Sequence, residues 1–202
     1  MIDPMPTQVQ GRGRAAALPS EERRSAIVAA ALPLFLEQGA AITTREIASA
    51  AGIAEGTIFR VFPDKPALLD AVIDAALDPS PTEAAIRKID SGLPFEDRLV
   101  AAVEILRQRV LYVFRVFSAA SGTTRGTQPA RSTELPALTD IFASEAEHLT
   151  RPPTHAARVL RGLTFACVHP SFGVEDPLTS EEIVEVFLEG IRRHDDNQET
   201  SC

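Results

Sequence analysis

Apolar residues recur at helical spacing along most of the chain, and no alternating pattern of the kind that predicts strands is convincing. The most informative segment is TTREIASAAGIAEGTIFRVFPDK, residues 43–65. Thr43 and Glu46 have the spacing of a capping box, which predicts that a short helix begins there. Gly52 permits a sharp turn after that helix. The buried face of the helix is predicted to be Ile47, Ala48 and Ala51.

The helix predicted after the turn, Ala54 to Phe62, has a small, polar first turn and a bulky end. This distribution suits a helix that enters the major groove of DNA, because small leading side chains let the backbone approach the base edges. Ile58, Phe59 and Phe62 are predicted to anchor the helix on the preceding one. Two interpretations fit the pattern: a helix-turn-helix, or a plain helical hairpin inside a bundle.

Helices are also predicted on both sides of this segment. The first begins at Ser20 and ends at Gly39, and its apolar stripe includes Ile27, Leu34 and Phe35. Another is capped by Asp64 and is broken by DPSP at 78–81.

The C-terminal part of the pattern centres on one long helix, predicted from Phe95 to about Ala120. Its stretch VLYVF makes the end apolar nearly all round, which is typical of a buried central helix. Residues 118–133 have the composition of a loop. Three further helices are predicted at about 135–149, 154–169 and 179–193, the last opening with a second capping box from Thr179 to Glu182.

Composition and charge narrow the class of protein. The chain has 202 residues, of which 45% are hydrophobic, and no apolar run approaches the roughly 20 residues that cross a bilayer. The N-terminus has no apolar core like that of a signal peptide, so we expect a cytoplasmic protein without a membrane partner. Residues 1–70 carry seven basic and eight acidic residues, whereas the remainder carries thirteen and twenty. The asymmetry permits a nucleic-acid-binding head on an acidic body.

Residues 23–72 resemble the DNA-binding domain of the tetracycline-repressor (TetR) family. The matching stretches are LFLEQG, TTREIASAAGI, GTIFRVF and DKPALL, in the order and at the spacing of that family. The resemblance implies an all-α protein: an N-terminal three-helix helix-turn-helix domain, then a helical ligand-binding and dimerisation domain. Its expected parts are a flexible arm at 1–19, a DNA-binding domain at 20–77 and a ligand-binding and dimerisation domain at 78–202.

The function implied by the resemblance is a homodimeric regulator of transcription, usually a repressor, which a small-molecule effector releases from a palindromic operator in double-stranded DNA. The expected DNA contacts are Thr44, Arg45, Glu55, Gly56, Thr57, Phe59, Arg60 and Lys65.

Three positions depart from the pattern of the family. Phe59 stands where a tyrosine is usual, Ala54 replaces a hydroxyl residue that would cap the second helix, and Val61 stands where a histidine is common. Arg60, together with Arg12 and Arg14 of the N-terminal arm, can compensate as cations on phosphate.

Alternatives also remain for single residues. Arg45 could form a surface ion pair instead, and Glu55 could either repel phosphate or accept from a cytosine amino group.

A ligand pocket is expected around the long helix, because its aromatic and aliphatic side chains offer a largely apolar lining. Arg115 within this stretch could hold an acidic group of an effector or form a structural ion pair, and Tyr112 could line the pocket or belong to the core. The expected lining is Val110, Tyr112, Val113, Phe114, Arg115, Phe117, Phe142 and Phe165.

Dimerisation is expected through the last two helices, whose apolar stripes are strong. The expected interface residues are Leu160, Leu163, Ile183, Phe187, Leu188 and Ile191. Cys167 and His169 lack partners at metal-ligand spacing, and no catalytic arrangement is apparent, so neither a metal, a cofactor nor an enzymatic activity is expected. The competing interpretation is a helical small-molecule-binding or enzymatic bundle without operator binding.

Overall fold

The part of the chain described by the structure, a computed structural model, is helical and contains no strand. It comprises residues 20–121, 134–172 and 177–191, with Ile191 described by its backbone only. The N-terminal arm with Arg12 and Arg14, residues 122–133 of the expected loop and the Ile191 side chain therefore lie outside the described residues. The α-helices are α1 Ser20–Gln38, α2 Thr44–Ala50, α3 Glu55–Val61, α4 Lys65–Leu77, α5 Ser80–Arg87, α6 Phe95–Ala119, α7 Pro136–Ala143, α8 Pro153–Val168 and α9 Ser180–Ile191.

A first hydrophobic core lies between α1, α2, α3 and α4. Helix α1 packs on each of the other three, so the two short helices are held against a longer support. The last turns of α6 also enter this core, where Val116 is fully buried and Tyr112 is partly buried. The main buried side chains of the first core are Ile27, Phe35, Ile47, Ile58, Phe62, Leu68 and Val72.

A second core is built by α5 to α9 around the first half of α6. Helix α6 packs against α8, α9 and α5, and α7 packs against α8. Phe142 of α7 is fully buried between Phe95 and Phe187, with ring centroids 5.8 and 5.7 Å away. Long helix α6 therefore contributes to both cores, as a central helix should.

The two cores meet where α1 ends. Gly39 has φ +64°, a left-handed conformation that L side chains rarely adopt. A Cβ built at Gly39 would also lie 2.9 Å from the backbone oxygen of Ala119, at the end of α6. This glycine thus both ends α1 and lets α6 approach closely.

Several predicted elements differ in extent. Helix α5 was not predicted, because SPTEAAIR is short and has few apolar residues. Helix α7 ends at Ala143, short of the predicted 149; the Ser144 hydroxyl donates to the Ile141 carbonyl (2.8 Å), an alternative to the helical ladder. The C-terminal half of α6 was expected to be buried on all sides. One side is open instead, since Leu111 is 44% exposed and Arg115 is exposed.

Candidate functional site

The helix-turn-helix begins with a complete capping box, as predicted. The Thr43 backbone N–H donates to a Glu46 carboxylate oxygen (2.8 Å), and the Glu46 N–H donates to Thr43 Oγ1 (3.2 Å). The backbone N–H and the hydroxyl of Thr43 hold the pKa of Glu46 below its usual value, with a smaller contribution from the charge of Lys65. The start of α2 is therefore fixed by its own residues.

The turn between α2 and α3 is fixed by backbone geometry. Gly52 has φ +66°, and the N–H of Ile53 donates to the Ala48 carbonyl (3.0 Å), which closes α2. Ala54 stands at the N-cap of α3 without a side-chain hydrogen bond, so the first turn of α3 keeps donors that no cap satisfies. Exposed N–H groups at a helix N-terminus favour an anion such as phosphate.

Helix α3 divides into a buried and an exposed side. Ile58 is fully buried and Phe62, which follows the helix, is nearly so; both anchor α3 on the first core. Phe59 does not, because 52% of it is exposed, which corrects its expected anchoring role. The guanidinium of Arg24 lies 4.4 Å above the Phe62 ring, a contact that the sequence pattern did not indicate.

The residues expected to contact DNA all have part of their surface open to solvent. Arg45, Glu55, Gly56, Phe59 and Arg60 are exposed, and Thr44, Thr57 and Lys65 are partly buried. Nothing lies within 4 Å of a Cβ added at Gly56, so the leading end of α3 is open to a partner.

Thr44 and Glu55 form a contact that was not predicted. The Thr44 hydroxyl donates to a Glu55 carboxylate oxygen (2.5 Å) and joins the leading ends of α2 and α3. Because this donor is occupied, a phosphate contact by Thr44 is expected from its backbone N–H instead. The same hydrogen bond fixes the orientation of the Glu55 carboxylate.

Lys65 joins the start of α4 to the end of α1. Its ammonium donates to the Ala40 carbonyl (2.8 Å) and is partly buried. A lysine ammonium has three donors, so two remain for phosphate. Lys65 thus has a structural partner beside its expected role on DNA.

A cleft of about 470 Å³ opens between α4, α5, α6 and α8. Four of the expected lining residues contribute to it: Val110, Val113, Phe117 and Phe165. The described residues around the cleft are Leu77, Pro79, Thr82, Leu106, Arg109, Val110, Val113, Phe117, Leu135, Arg158, Arg161, Gly162 and Phe165.

The other four residues expected in the pocket lie elsewhere. Arg115 is exposed on α6, which corrects both its expected role as a ligand anchor and the alternative of a buried ion pair. Tyr112 packs against the first core, and Phe142 is buried in the second core. Phe114 contacts His169, with ring centroids 5.1 Å apart.

Arginines that the sequence did not single out surround the cleft. Arg109 donates from its two terminal nitrogens to the carbonyls of Ala76 and Leu77, at 2.9 and 2.7 Å. Burial lowers the pKa of Arg109, while the charges of Tyr112 and Asp78 raise it less strongly. A signal for Arg109 was present in the sequence, because it ends the polar stretch RQR, residues 107–109, but the direction of its side chain depends on packing.

Most of the expected dimer contacts are covered by their own chain. Leu160, Ile183, Phe187 and Leu188 are buried in the second core and offer no surface to a second copy, which corrects their assignment. Leu163 is partly buried. The large exposed apolar side chains of the same two helices are instead Val159 (53%), Phe165 (44%) and Val186 (52%), of which Phe165 borders the cleft.

Cys167 and His169 occupy separate surroundings. Burial raises the pKa of the Cys167 thiol, and His169 lies among Phe114, Phe165 and Phe172. Within residues 20–121, 134–172 and 177–191, no group of three or more potential metal ligands was found. No helix in those ranges has the length and apolarity needed to cross a membrane.

Comparison with known proteins extends the description of the site. The model of the bacterial regulatory proteins of the tetR family matches residues 27–72, which include the whole helix-turn-helix. None of the curated proteins matches the chain.

Solved structures share the fold over most of the chain. A proposed TetR-family transcriptional regulator from Mesorhizobium loti is 17% identical, with TM-score 0.59 over 88% of this chain and 100% of its own. A TetR-family regulator from Haemophilus influenzae is 16% identical, with TM-score 0.57 over 89% and 100%. A proposed regulator of the family from Vibrio parahaemolyticus is 22% identical, with TM-score 0.51 over 85% and 99%.

These likenesses show the fold, and the matched model shows the family of the head. The members of this family are regulators of transcription and not enzymes. Residues 27–72 form a DNA-binding domain of the tetR family of bacterial regulatory proteins, on a chain whose helical fold is that of solved TetR-family regulators.

Proposed function

We propose that the protein is a homodimeric repressor that binds a palindromic operator through α2 and α3 and is released by a small-molecule effector in the cleft. The observation that carries the proposal is the division of α3: Ile58 fixes it on the core, while Glu55, Gly56 and Phe59 face outward. Phe59 is 52% exposed, and the space beside Gly56 is open. An exposed aromatic side chain beside open space is typical of a surface that a partner covers. A regulator that contacts chromosomal DNA acts in the cytoplasm. We also propose that the DNA-binding domain ends at residue 77 and the effector-binding domain begins at residue 78.

The proposed dimer surface is a flank of α8 and α9. On α8, Val159, Gly162, Leu163 and Ala166 have the spacing i, i+3, i+4, i+7 that places side chains on one face. On α9, Val186 and Gly190 are one turn apart. Nothing lies within 4 Å of a Cβ added at Gly190, so another helix can approach closely there. Gly162 is equally open, but it also borders the cleft.

A second copy is the occupant that this flank fits best. Val159, Leu163 and Val186 give this flank apolar side chains. Glutamates occupy most of the other exposed positions of α9, including Glu182 one turn before Val186. An isologous interface brings the same patch of two copies together, so small residues on one copy face small residues on the other. Two heads are then fixed at one separation, as a palindromic site requires.

Selection of chromosomal DNA fragments by the full-length protein tests this function. Bound fragments should share an inverted repeat, and their complex should weaken steeply as salt rises, because phosphate contacts release counterions. The competing helical bundle without operator binding predicts no enriched repeat. A variant with Gly56→Glu, which places a bulky anion at the open end of α3, should lose the enrichment while keeping its helical content.

Lys65→Ala is expected to weaken binding to operator and to random DNA by a similar factor. It should also lower the slope of log affinity against log salt by about one unit, because one phosphate contact is lost. The measurement is fluorescence anisotropy on both DNAs at several salt concentrations. Lys88→Ala, on the exposed end of α5, changes the same charge far from the head and should leave the slope unaltered.

Because Lys65 also bonds to Ala40, a second variant separates the two roles. Lys65→Gln keeps a donor for that carbonyl and removes the charge. If Lys65→Gln retains the wild-type slope, then Lys65 acts on DNA only through the fold.

Thr57→Ala is expected to change sequence preference along with affinity. Thr57 lies on the first turn of α3, where side chains meet base edges, and each specific base contact contributes about 1–3 kcal/mol of discrimination. Competition between operator variants mutated one base pair at a time measures the change. A uniform loss over all variants would instead place Thr57 on a phosphate.

A further inference from the structure

The cleft between α4, α5, α6 and α8 combines an apolar wall with three guanidinium groups. Leu106, Val110, Val113 and Phe117 of α6 provide most of the wall. Arg109, Arg158 and Arg161 border the same space, and no carboxylate belongs to its described lining. A volume of about 470 Å³ lies within the range of roughly 300–1,000 Å³ that is usual for small-molecule sites.

Two of these arginines are left without close partners in the part of the chain that the structure describes. Neither Arg158 nor Arg161 has a hydrogen bond or ion pair with a described residue. Burial lowers the pKa of Arg161, and the neighbouring charge of Arg158 lowers it further, against the opposing charge of Glu134. The protonated form of Arg161 is thus less stable here than in water, and an anion in the cleft would stabilise it.

The carboxylates near these arginines either are engaged or do not line the cleft. Asp78, near Arg109, accepts from the N–H and the hydroxyl of Ser80, at 3.0 and 2.8 Å. Glu134 and Asp140 line a second cavity, which shares Leu135, Arg158 and Arg161 with the cleft. The apolar cleft itself therefore offers positive charge only.

We propose that the effector is an amphipathic carboxylate: its apolar body lies on α6, and Arg161, assisted by Arg158 and Arg109, binds the acid group. This inference rests on the proposed function, since it names the chemical class of the effector for the same cleft. The planar guanidinium matches a carboxylate with two parallel N–H donors, which gives direction as well as charge. A neutral compound of the same shape would leave the arginines unsatisfied.

Arg109 is the residue that connects such a ligand to the DNA-binding head. Its guanidinium caps the last carbonyls of α4, and α4 follows α3 directly in the chain. A cation is favourable at a helix C-terminus, because the carbonyls there lack intrahelical partners. A carboxylate in the cleft competes for the same donors. Binding thus loosens the last turn of α4, and Arg109 acts as a positioning residue.

Isothermal titration of the full-length protein with 2-naphthoate and 2-naphthamide tests the ligand class. The two probes share their shape and differ in charge, and we expect naphthoate to bind at least about tenfold more tightly, as a charge-assisted hydrogen bond allows. Arg161→Gln should reduce this preference to less than about threefold while the amide affinity stays the same. Arg115→Gln removes an arginine outside the cleft and should leave the preference intact.

The inference is overturned if the amide binds as well as the acid, if neither binds, or if the preference survives in Arg161→Gln. A DNA-binding measurement on the same preparations keeps the two proposals apart. Salt-sensitive DNA binding without any acid preference would refute only the effector class, whereas acid binding without a DNA complex would refute the regulator.

Hydrogen exchange of α4 tests the role of Arg109. In the wild type, naphthoate should speed exchange at the amides of residues 75–77, because their turn loses its cap. In Arg109→Gln these amides should already exchange faster and should not respond to naphthoate. Arg109→Lys retains the charge, and its exchange rates should lie between those of the wild type and those of Arg109→Gln. Unchanged exchange on ligand binding in the wild type would show that Arg109 transmits nothing.

Discussion

Val186→Glu is expected to convert the protein into a folded monomer that no longer forms a stable operator complex. Val186 is 52% exposed on α9, so a glutamate costs little in the isolated chain. In the proposed dimer the same glutamate would be buried without a partner, close to its symmetry mate, and burying an unpaired charge is very unfavourable. One head alone makes too few contacts, so operator affinity should fall by more than about a hundredfold, or roughly 3 kcal/mol.

Sedimentation velocity and anisotropy on operator DNA measure the two effects. Val159→Glu, on the same flank of α8, should behave like Val186→Glu, whereas Leu111→Glu changes a comparably exposed side chain on α6 and should stay dimeric. Ile183→Glu is not an interface test, because Ile183 is fully buried and its variant should unfold. Dimeric Val186→Glu and Val159→Glu proteins would locate the interface elsewhere.

Phe142→Ala should lower the free energy of unfolding by about 3–5 kcal/mol, the usual cost of emptying a buried aromatic site. Phe142 is fully buried, and its edge-to-face contact with Phe95 and its contact with Phe187 tie α7 to α6 and α9. Had Phe142 lined a ligand pocket, part of its surface would already be free and the cost would be smaller. Urea denaturation followed by circular dichroism measures the loss.

Phe165→Ala is the matched control, because Phe165 borders the cleft and is 44% exposed. It should lower stability by about 1–2 kcal/mol, less than Phe142→Ala, since nearly half of its surface is already exposed in the folded protein. Equal losses for the two variants would contradict the placement of Phe142 in the core and of Phe165 at the cleft.

Features set by residues close in sequence were predicted well. The capping boxes at Thr43 and at Thr179, the cap at Asp64 and the turn at Gly52 depend on contacts between residues up to five apart. The helices follow from the same local signals, and the resemblance of residues 23–72 located the head. Helix α5 was not predicted because it is short and begins inside DPSP, the stretch expected to break the preceding helix.

The direction of a side chain within the bundle was not predictable in the same way. Arg109 and Arg115 lie six residues apart on α6, which places them on different sides of the helix. Only the surrounding helices determine that Arg109 faces α4 and the cleft while Arg115 faces outward. Arg115, the arginine that stands among aromatic residues in the sequence, is therefore not the one that lies at the cleft.

The same limit explains the dimer residues. The stripe of Ile183 and Phe187 marks the most apolar side of α9, but a stripe does not reveal whether its own chain or a second copy covers it. Here α6 and α8 cover that side, so the free flank begins one step round the helix, at Val186. The sequence therefore could not show which face of α9 is free, and its part in a dimer stays a prediction.

The close approach of α6 to the end of α1 has a consequence for the construction of hybrid regulators. Val116 is buried among side chains of α1 to α4, and the Ala119 carbonyl lies where a Cβ of Gly39 would be. A head cut after residue 77 and fused to a foreign effector domain would lack Val116 and expose the surface that it covers. A functional exchange of heads should therefore transplant the last two turns of α6 together with residues 20–77, or redesign the recipient helix to fill the same hole.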